Sequence, residues 1–200
     1  MKRIVIFGAT GNTGLCVLRL AVENDLEVRA FVRDKTKIPE DLKNKVESVI
    51  GDVTNAGQVA KAITGRDAVV VVLGTRNDLS PTTVLSDGLK NIIDAMKVHN
   101  VELVSVCLSA FLFYKPEKVP AIFKDLNMDH QRMFDIIKGS GLKWVAVLPP
   151  HIADAPKSKY IVTFDSSPGR AVSKYDLGTF LIECLKNPEY HQKVCGIATV

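Results

Sequence analysis

Glycines stand three residues apart in Gly8-Ala9-Thr10-Gly11-Asn12-Thr13-Gly14, and the residues between them suit the binding of an anion. Without side chains, glycines let the backbone turn sharply and come close to a phosphate. If a helix starts at the end of the turn, its free N–H groups and positive dipole face the same anion. Thr10, Asn12 and Thr13 add hydroxyl and amide donors. This is the chemistry of a pyrophosphate cradle. Three glycines in a turn also serve turn geometry alone, so the flanking elements decide between the two readings.

Those flanks fit the cradle. Lys2-Arg3-Ile4-Val5-Ile6-Phe7 is a short apolar run suited to a strand buried on both faces. Leu15 to Val22 has the length and composition of a helix. Strand, glycine turn and helix at the N-terminus form the context in which such a motif predicts a dinucleotide site. No GxxxxGK[ST] is present, which argues against a P-loop enzyme.

The next strand, Glu27 to Arg33, chooses between the two dinucleotides. An acidic residue about twenty positions past the glycines binds the 2′-hydroxyl of NAD, whereas an Arg there accommodates the 2′-phosphate of NADP. Arg33 holds that position, with Lys35 and Lys37 behind it, so NADPH is favoured. Asp34 is the rival, as an acidic ribose ligand. A third strand over Val46–Ile50 delivers Asp52 and Val53 to the adenine. Asp52 equally suits a cap on the following turn.

Asp67–Leu73 reads as the plainest buried strand and ends in Gly74-Thr75-Arg76, placed to meet the cofactor from the other side, with Leu73 beside it. Ser80-Pro81-Thr82-Thr83 starts a long helix over Val84–His99. A fifth strand, Leu103–Leu108, delivers Ser109, the position of the catalytic hydroxyl in short-chain reductases. The Tyr-x-x-x-Lys that normally partners it is absent; Asp129-His130-Gln131-Arg132 occupies the corresponding helix. A Tyr–Lys proton relay is therefore disfavoured. Phe111, Phe113 and Tyr114 suit either the core or the wall of a flat conjugated substrate. A sixth strand, Lys143–Leu148, ends in Pro149-Pro150-His151-Ile152, where the prolines fix the turn that holds His151. A strand at Tyr160–Phe164 and a helix from Lys174 to Leu185, capped by Ser173, complete the reading.

The fold expected is α/β: one Rossmann-type domain over residues 1–200, doubly wound, with a mostly parallel sheet and the substrate pocket in the loops at the strand C-termini. A chain of 200 residues, 46% hydrophobic, suits a single buried core. Net charge is +4 from 26 basic and 22 acidic residues mixed along the chain, which supplies no nucleic-acid tail. Cys16, Cys107, Cys184 and Cys195 are far apart, without metal-ligand spacing, and read as reduced thiols of a cytoplasmic protein. Neither a signal peptide nor a membrane span is expected.

With the glycine motif, Gly74 to Thr83, Ser109-Ala110-Phe111 and Pro149-Pro150-His151-Ile152 in hand, nearly the whole chain resembles the biliverdin-IXβ reductase/flavin reductase (NADPH) family of the atypical, NmrA-like short-chain reductases. The resemblance implies a monomeric, NADPH-dependent enzyme with no metal. Its acceptors would be FMN, FAD, riboflavin and linear tetrapyrroles such as biliverdin-IXβ. It assigns the pyrophosphate to Thr10, Gly11, Asn12, Thr13 and Gly14, and the 2′-phosphate to Arg33; Gly8 and Lys37 join them as cofactor candidates of this sequence. Adenine falls to Asp52 and Val53, and further cofactor contacts to Leu73, Gly74, Thr75 and Arg76. Ser109 and His151 match its substrate-side residues and are the catalytic candidates; Phe111, Phe113, His130 and Ile152 are further substrate-side candidates of this sequence. The implied reaction is direct hydride transfer to a conjugated acceptor. A non-catalytic NADP(H)-binding sensor is the alternative.

Overall fold

Ile4, Val5, Ile6 and Phe7 have no exposed surface, because the strand they form lies in the middle of the sheet with helices over both faces. In the computed structural model, which describes residues 1–200, this strand is β1 (Arg3–Phe7). It is followed by α1 (Asn12–Glu23), β2 (Glu27–Val32), α2 (Glu40–Lys43), β3 (Glu47–Ile50), α3 (Ala56–Ile63), β4 (Ala68–Val71) and α4 (Val84–Val98). The chain continues through β5 (Leu103–Cys107), α5 (Lys124–Lys138), β6 (Lys143–Leu148), β7 (His151–Ala153) and β8 (Tyr160–Phe164). It ends with β9 (Ala171–Ser173), α6 (Lys174–Glu183) and β10 (Lys193–Thr199).

The main sheet has the order β3-β2-β1-β4-β5-β6-β10-β8. Seven of its strands are parallel, and β8 runs antiparallel to β10 at the edge. β7 and β9 form a separate parallel pair. This is the expected doubly wound α/β architecture, and its order reverses between β1 and β4.

Alternation along β1 divides the core. Ile4 and Ile6 pack with Val17 and Leu18 of α1 and with Leu177, Phe180 and Leu181 of α6. Val5 and Phe7 face Val59 of α3, Leu89 and Ile92 of α4, and Met133 and Ile137 of α5. The Phe7 ring meets Phe31 of β2 at 4.9 Å between centroids. Truncating a buried ring of this kind costs about 3–5 kcal/mol, so the strand that leads into the glycine loop is rigidly held.

The elements differ from the sequence expectation at several points: α2 and the β7–β9 pair are additional, with His151 opening β7 rather than lying in a turn. β4 stops at Val71 rather than Leu73, leaving Val72 and Leu73 as the approach to the loop, although Val72 N–H still donates to the carbonyl of Phe7 at 2.9 Å. β10, beyond the last helix expected from the sequence, inserts between β6 and β8.

Candidate cofactor and substrate site

The glycine loop is built around two steric requirements. Gly8 has φ +83°, and a Cβ there would lie 2.2 Å from the carbonyl oxygen of Val72. A Cβ on Gly14 would lie 2.0 Å from the carbonyl oxygen of Gly8. Gly11 N–H donates to that same oxygen at 3.0 Å, closing the turn. α1 then begins at Asn12 with no side-chain cap and no acidic residue in its first turn. Its N-terminal donors and dipole are thus left for an external anion, at the end of β1 where the strand order reverses. Thr10 is half-buried, Thr13 is buried and Asn12 is exposed. This cradle fits a dinucleotide pyrophosphate.

At the ends of β2 and β3 the hydrogen bonds favour one of the alternatives that the sequence leaves open. The carboxylate of Asp34 accepts from Thr36 N–H at 2.9 Å and from Thr36 Oγ1 at 2.6 Å. The carboxylate of Asp52 accepts from Thr54 in the same way, at 2.9 and 2.6 Å. Each is held by its own turn, and these bonds are the main cause of its lowered pKa. The positive charges of Lys37 and Arg76 add to the effect at Asp34, and that of Arg33 at Asp52. Arg33, Lys37 and Arg76 therefore gather around one corner of the sheet, and none of them makes a salt bridge. Val53 is held from behind. Its side chain packs so closely on Gly88 that a Cβ there would come within 2.7 Å, and its carbonyl accepts from Asn91 Nδ2 at 3.0 Å.

On the β4 side, Leu73 packs against the core and Gly74 stands in open space. Arg76 and Asn77 both adopt left-handed backbone, with φ +53° and +70°. Thr75 Oγ1 donates to the carbonyl of Asp78, which bends this loop back on itself.

The substrate-side residues come from β5 and β6, which are neighbours. Ser109 Oγ accepts from Phe111 N–H at 3.2 Å and caps a 3-10 turn over Ala110–Phe113. Ala110 N–H donates to the carbonyl of Pro149 at 2.9 Å, tying that turn to the segment before His151. His151 is exposed and pairs in register with Ala171 of β9; Ile152 packs against the core. The aromatics divide. Phe111 meets Phe123 at 5.2 Å and Tyr114 at 5.7 Å between centroids, while Phe113 packs partly on the core. Phe113 and Tyr114 also line a cavity of about 430 Å³ with Asp165, Ser166 and Arg170. His130 sits half-buried on α5, and burial pushes its imidazole down to about 4.

Two features escape the sequence reading. Arg170 faces the cavity with no salt bridge or hydrogen bond of its own. Asp129, fully buried on α5, accepts from Leu85 N–H at 3.0 Å and pairs with Arg132 at 3.1 Å. Its side chain thereby caps α4, whose own N-cap residue supplies no side-chain bond. The Asp-x-x-Arg spacing at 129–132 is the one local signal for this pair.

A doubly wound sheet with a glycine cradle at its switch point defines a Rossmann-type dinucleotide-binding protein. The chain belongs to the NAD(P)H-binding family, whose sequence profile matches residues 8–188. Among curated proteins it is 28% identical over 102 residues to the oxidoreductase GME11367 of Pestalotiopsis microspora. It is also 28% identical over 108 residues to an uncharacterized chloroplastic protein of Arabidopsis thaliana. These matches cover 48% and 50% of this chain and 39% of each relative, so the chain spans well under half of their length.

Solved structures share the fold across the whole chain. A Rossmann-fold NAD(P)-binding family protein from Shigella flexneri is 24% identical, with TM-score 0.80, over 100% of this chain and 94% of that one. A short-chain dehydrogenase/reductase from Veillonella parvula in complex with NADP is 17% identical, with TM-score 0.80, over 98% and 94%. ChuY from Escherichia coli O157:H7, described as an anaerobillin reductase, is 18% identical, with TM-score 0.84, over 99% and 97%. No helix is long and apolar enough to cross a membrane.

Proposed function

We propose that this protein is an NADPH-dependent reductase of conjugated acceptors, namely flavins (FMN, FAD, riboflavin) and linear tetrapyrroles such as biliverdin-IXβ. The observation that carries the reading is the cavity whose lining includes Phe113, Tyr114 and Arg170, a cation with no salt bridge, beside Asp165. Flat, anionic, conjugated molecules combine the two properties that such walls recognise. ChuY, similar in fold, is described as an anaerobillin reductase, which supports the same direction.

When bound, NADPH supplies a hydride. The first turn of α1 holds its pyrophosphate, Arg33 and Lys37 its 2′-phosphate, and Val53 packs on the adenine. Asp34 Oδ1 is held in its own turn by Thr36, and the cations beside it suit a phosphate. Leu73, Gly74, Thr75 and Arg76 close the other side. An acceptor that spreads incoming charge over a conjugated system needs orientation more than a strong acid, which agrees with the absence of a Tyr–Lys relay. Ser109 and His151 orient the acceptor. His130, with a pKa near 4, is neutral at pH 7 and offers a hydrogen bond rather than a charge.

The test is NADPH consumption with FMN and, separately, with biliverdin-IXβ, with and without Arg170→Ala. Turnover that the substitution weakens through KM is expected. Tight NADP binding with no turnover on any acceptor would make the protein a sensor instead.

A further inference from the structure

Residues 74–83, the loop that carries Thr75 and Arg76, are braced mostly by themselves. Thr75 Oγ1 donates to the carbonyl of Asp78, and Asp78 Oδ1 accepts from Ser80 N–H at 2.9 Å. Thr82 Oγ1 accepts from Val84 N–H, and the carbonyl of Thr83 accepts from Asp87 N–H and Ser86 Oγ, which ties the loop into the first turn of α4. One hydrogen bond joins residues 74–83 to an element beyond α4. Arg132 Nη2, on α5, donates to the carbonyl of Thr82 at 2.6 Å. That guanidinium is itself clamped, because Asp129 Oδ1 accepts from its Nε at 3.2 Å and pairs with Nη2 at 3.1 Å. Asp129 has no exposed surface, so the clamp is anchored in the core. Within the loop, Arg76 and Asn77 hold left-handed backbone, a conformation that residues with side chains keep where their surroundings impose it.

We propose, on the reading that this loop closes over the cofactor, that Arg132 is a positioning residue for NADP. It acts through the carbonyl of Thr82 and fixes where the loop presents Thr75 and Arg76. A loop braced internally moves as one piece, so its place beside the glycine cradle is set at its two ends. One end is the β4 side, where Val72 N–H is bonded to the carbonyl of Phe7 and Leu73 packs on the core. The other end is Thr82, and Arg132 is the tie there. A bidentate guanidinium suits this task, since it holds its carboxylate and still has a donor for a second oxygen. Arg132 stands two residues from His130 on the same helix, so the cofactor loop and the substrate-side helix share one anchor.

Calorimetric titration of the full chain with NADP tests this with no acceptor present, so the result is independent of which compound the enzyme reduces. Arg132→Met should raise Kd about tenfold, the effect of losing one charge-assisted hydrogen bond. Arg132→Lys keeps a cation beside both oxygens and should recover most of that affinity. Adding Asp129→Asn to Arg132→Met leaves an acceptor for Leu85 N–H and no unpaired buried charge, so the same reading is obtained if the single variant does not fold. Arg76→Ala should also raise Kd about tenfold, and Arg132→Met on that background should add less than about twofold, because both substitutions remove the same contact. Losses that multiply to about a hundredfold, as independent sites give, would overturn the proposal alone. So would wild-type affinity in Arg132→Met. Wild-type affinity in Arg76→Ala would instead overturn the reading that the loop meets the cofactor, and the role of Arg132 with it.

Discussion

The carboxylate of Asp129 on α5 receives the backbone N–H of Leu85 at 3.0 Å, so one helix supplies the cap that another lacks. Ser86 N–H lies at 3.4 Å from the same oxygen, and Arg132 bridges Asp129 to the carbonyl of Thr82. Through this contact the helix that follows Arg76 is locked to the helix that carries His130.

Asp129→Ala should destabilise the fold by about 3 kcal/mol, because it orphans buried donors and a guanidinium together. Urea unfolding reads this directly. A loss below about 1 kcal/mol, the scale of an ordinary surface pair, would mean that the contact is not the cap described.

Gly14→Ala should abolish NADP binding and lower the melting temperature, since its Cβ would sit 2.0 Å from a backbone oxygen that has no room to move. Gly74→Ala is the control: a Cβ there meets nothing within 4 Å, so the fold should be unaffected. Equal melting temperatures for the two variants would contradict the steric account of the loop.

Ser109→Ala and His151→Ala should each lower turnover by less than about a hundredfold, below the roughly 10²–10⁴-fold that general acid–base groups contribute. In the proposed function their role is orientation of the acceptor. A larger loss at His151, measured by steady-state kinetics, would establish it as an essential proton donor.

The pH dependence of stability should carry a signature of His130. Burial lowers its pKa from 6.5 to about 4, and the negative charge of Asp129 acts weakly the other way. A depressed histidine favours the neutral folded state, so as pH falls the unfolded chain takes up the proton first. This contribution is complete above pH 6.5 and is lost between pH 6.5 and 4. Relative to His130→Gln, the wild type should lose about 3 kcal/mol across that window. Parallel stability curves for the two proteins would show that the ring is solvated.

Much of the site is legible in the sequence where the signal is local. The glycine spacing, the apolar run before it and Arg33 at the end of β2 each depend on neighbours within a few residues. The Asp34 and Asp52 alternatives also carried a local clue, because each Asp stands two residues before a Thr, the spacing of a self-capping turn. What stayed hidden depends on long-range pairing. β10 reads weakly, with Gly196 in its middle, and takes its place only from β6 and β8. Asp129 finds the α4 terminus across 44 residues of sequence. Arg170 joins Phe113 and Tyr114 in one cavity lining through a loop whose course no periodicity records.

The most direct test of the central claim is the rate of NADPH oxidation with FMN, compared with NADH, in the wild type and in Arg33→Ala. Loss of a charge-assisted phosphate contact removes about 1.5–3 kcal/mol, so KM for NADPH should rise tenfold or more while KM for NADH barely changes. Turnover that is indifferent to the 2′-phosphate, or no turnover despite bound NADP, would contradict the account.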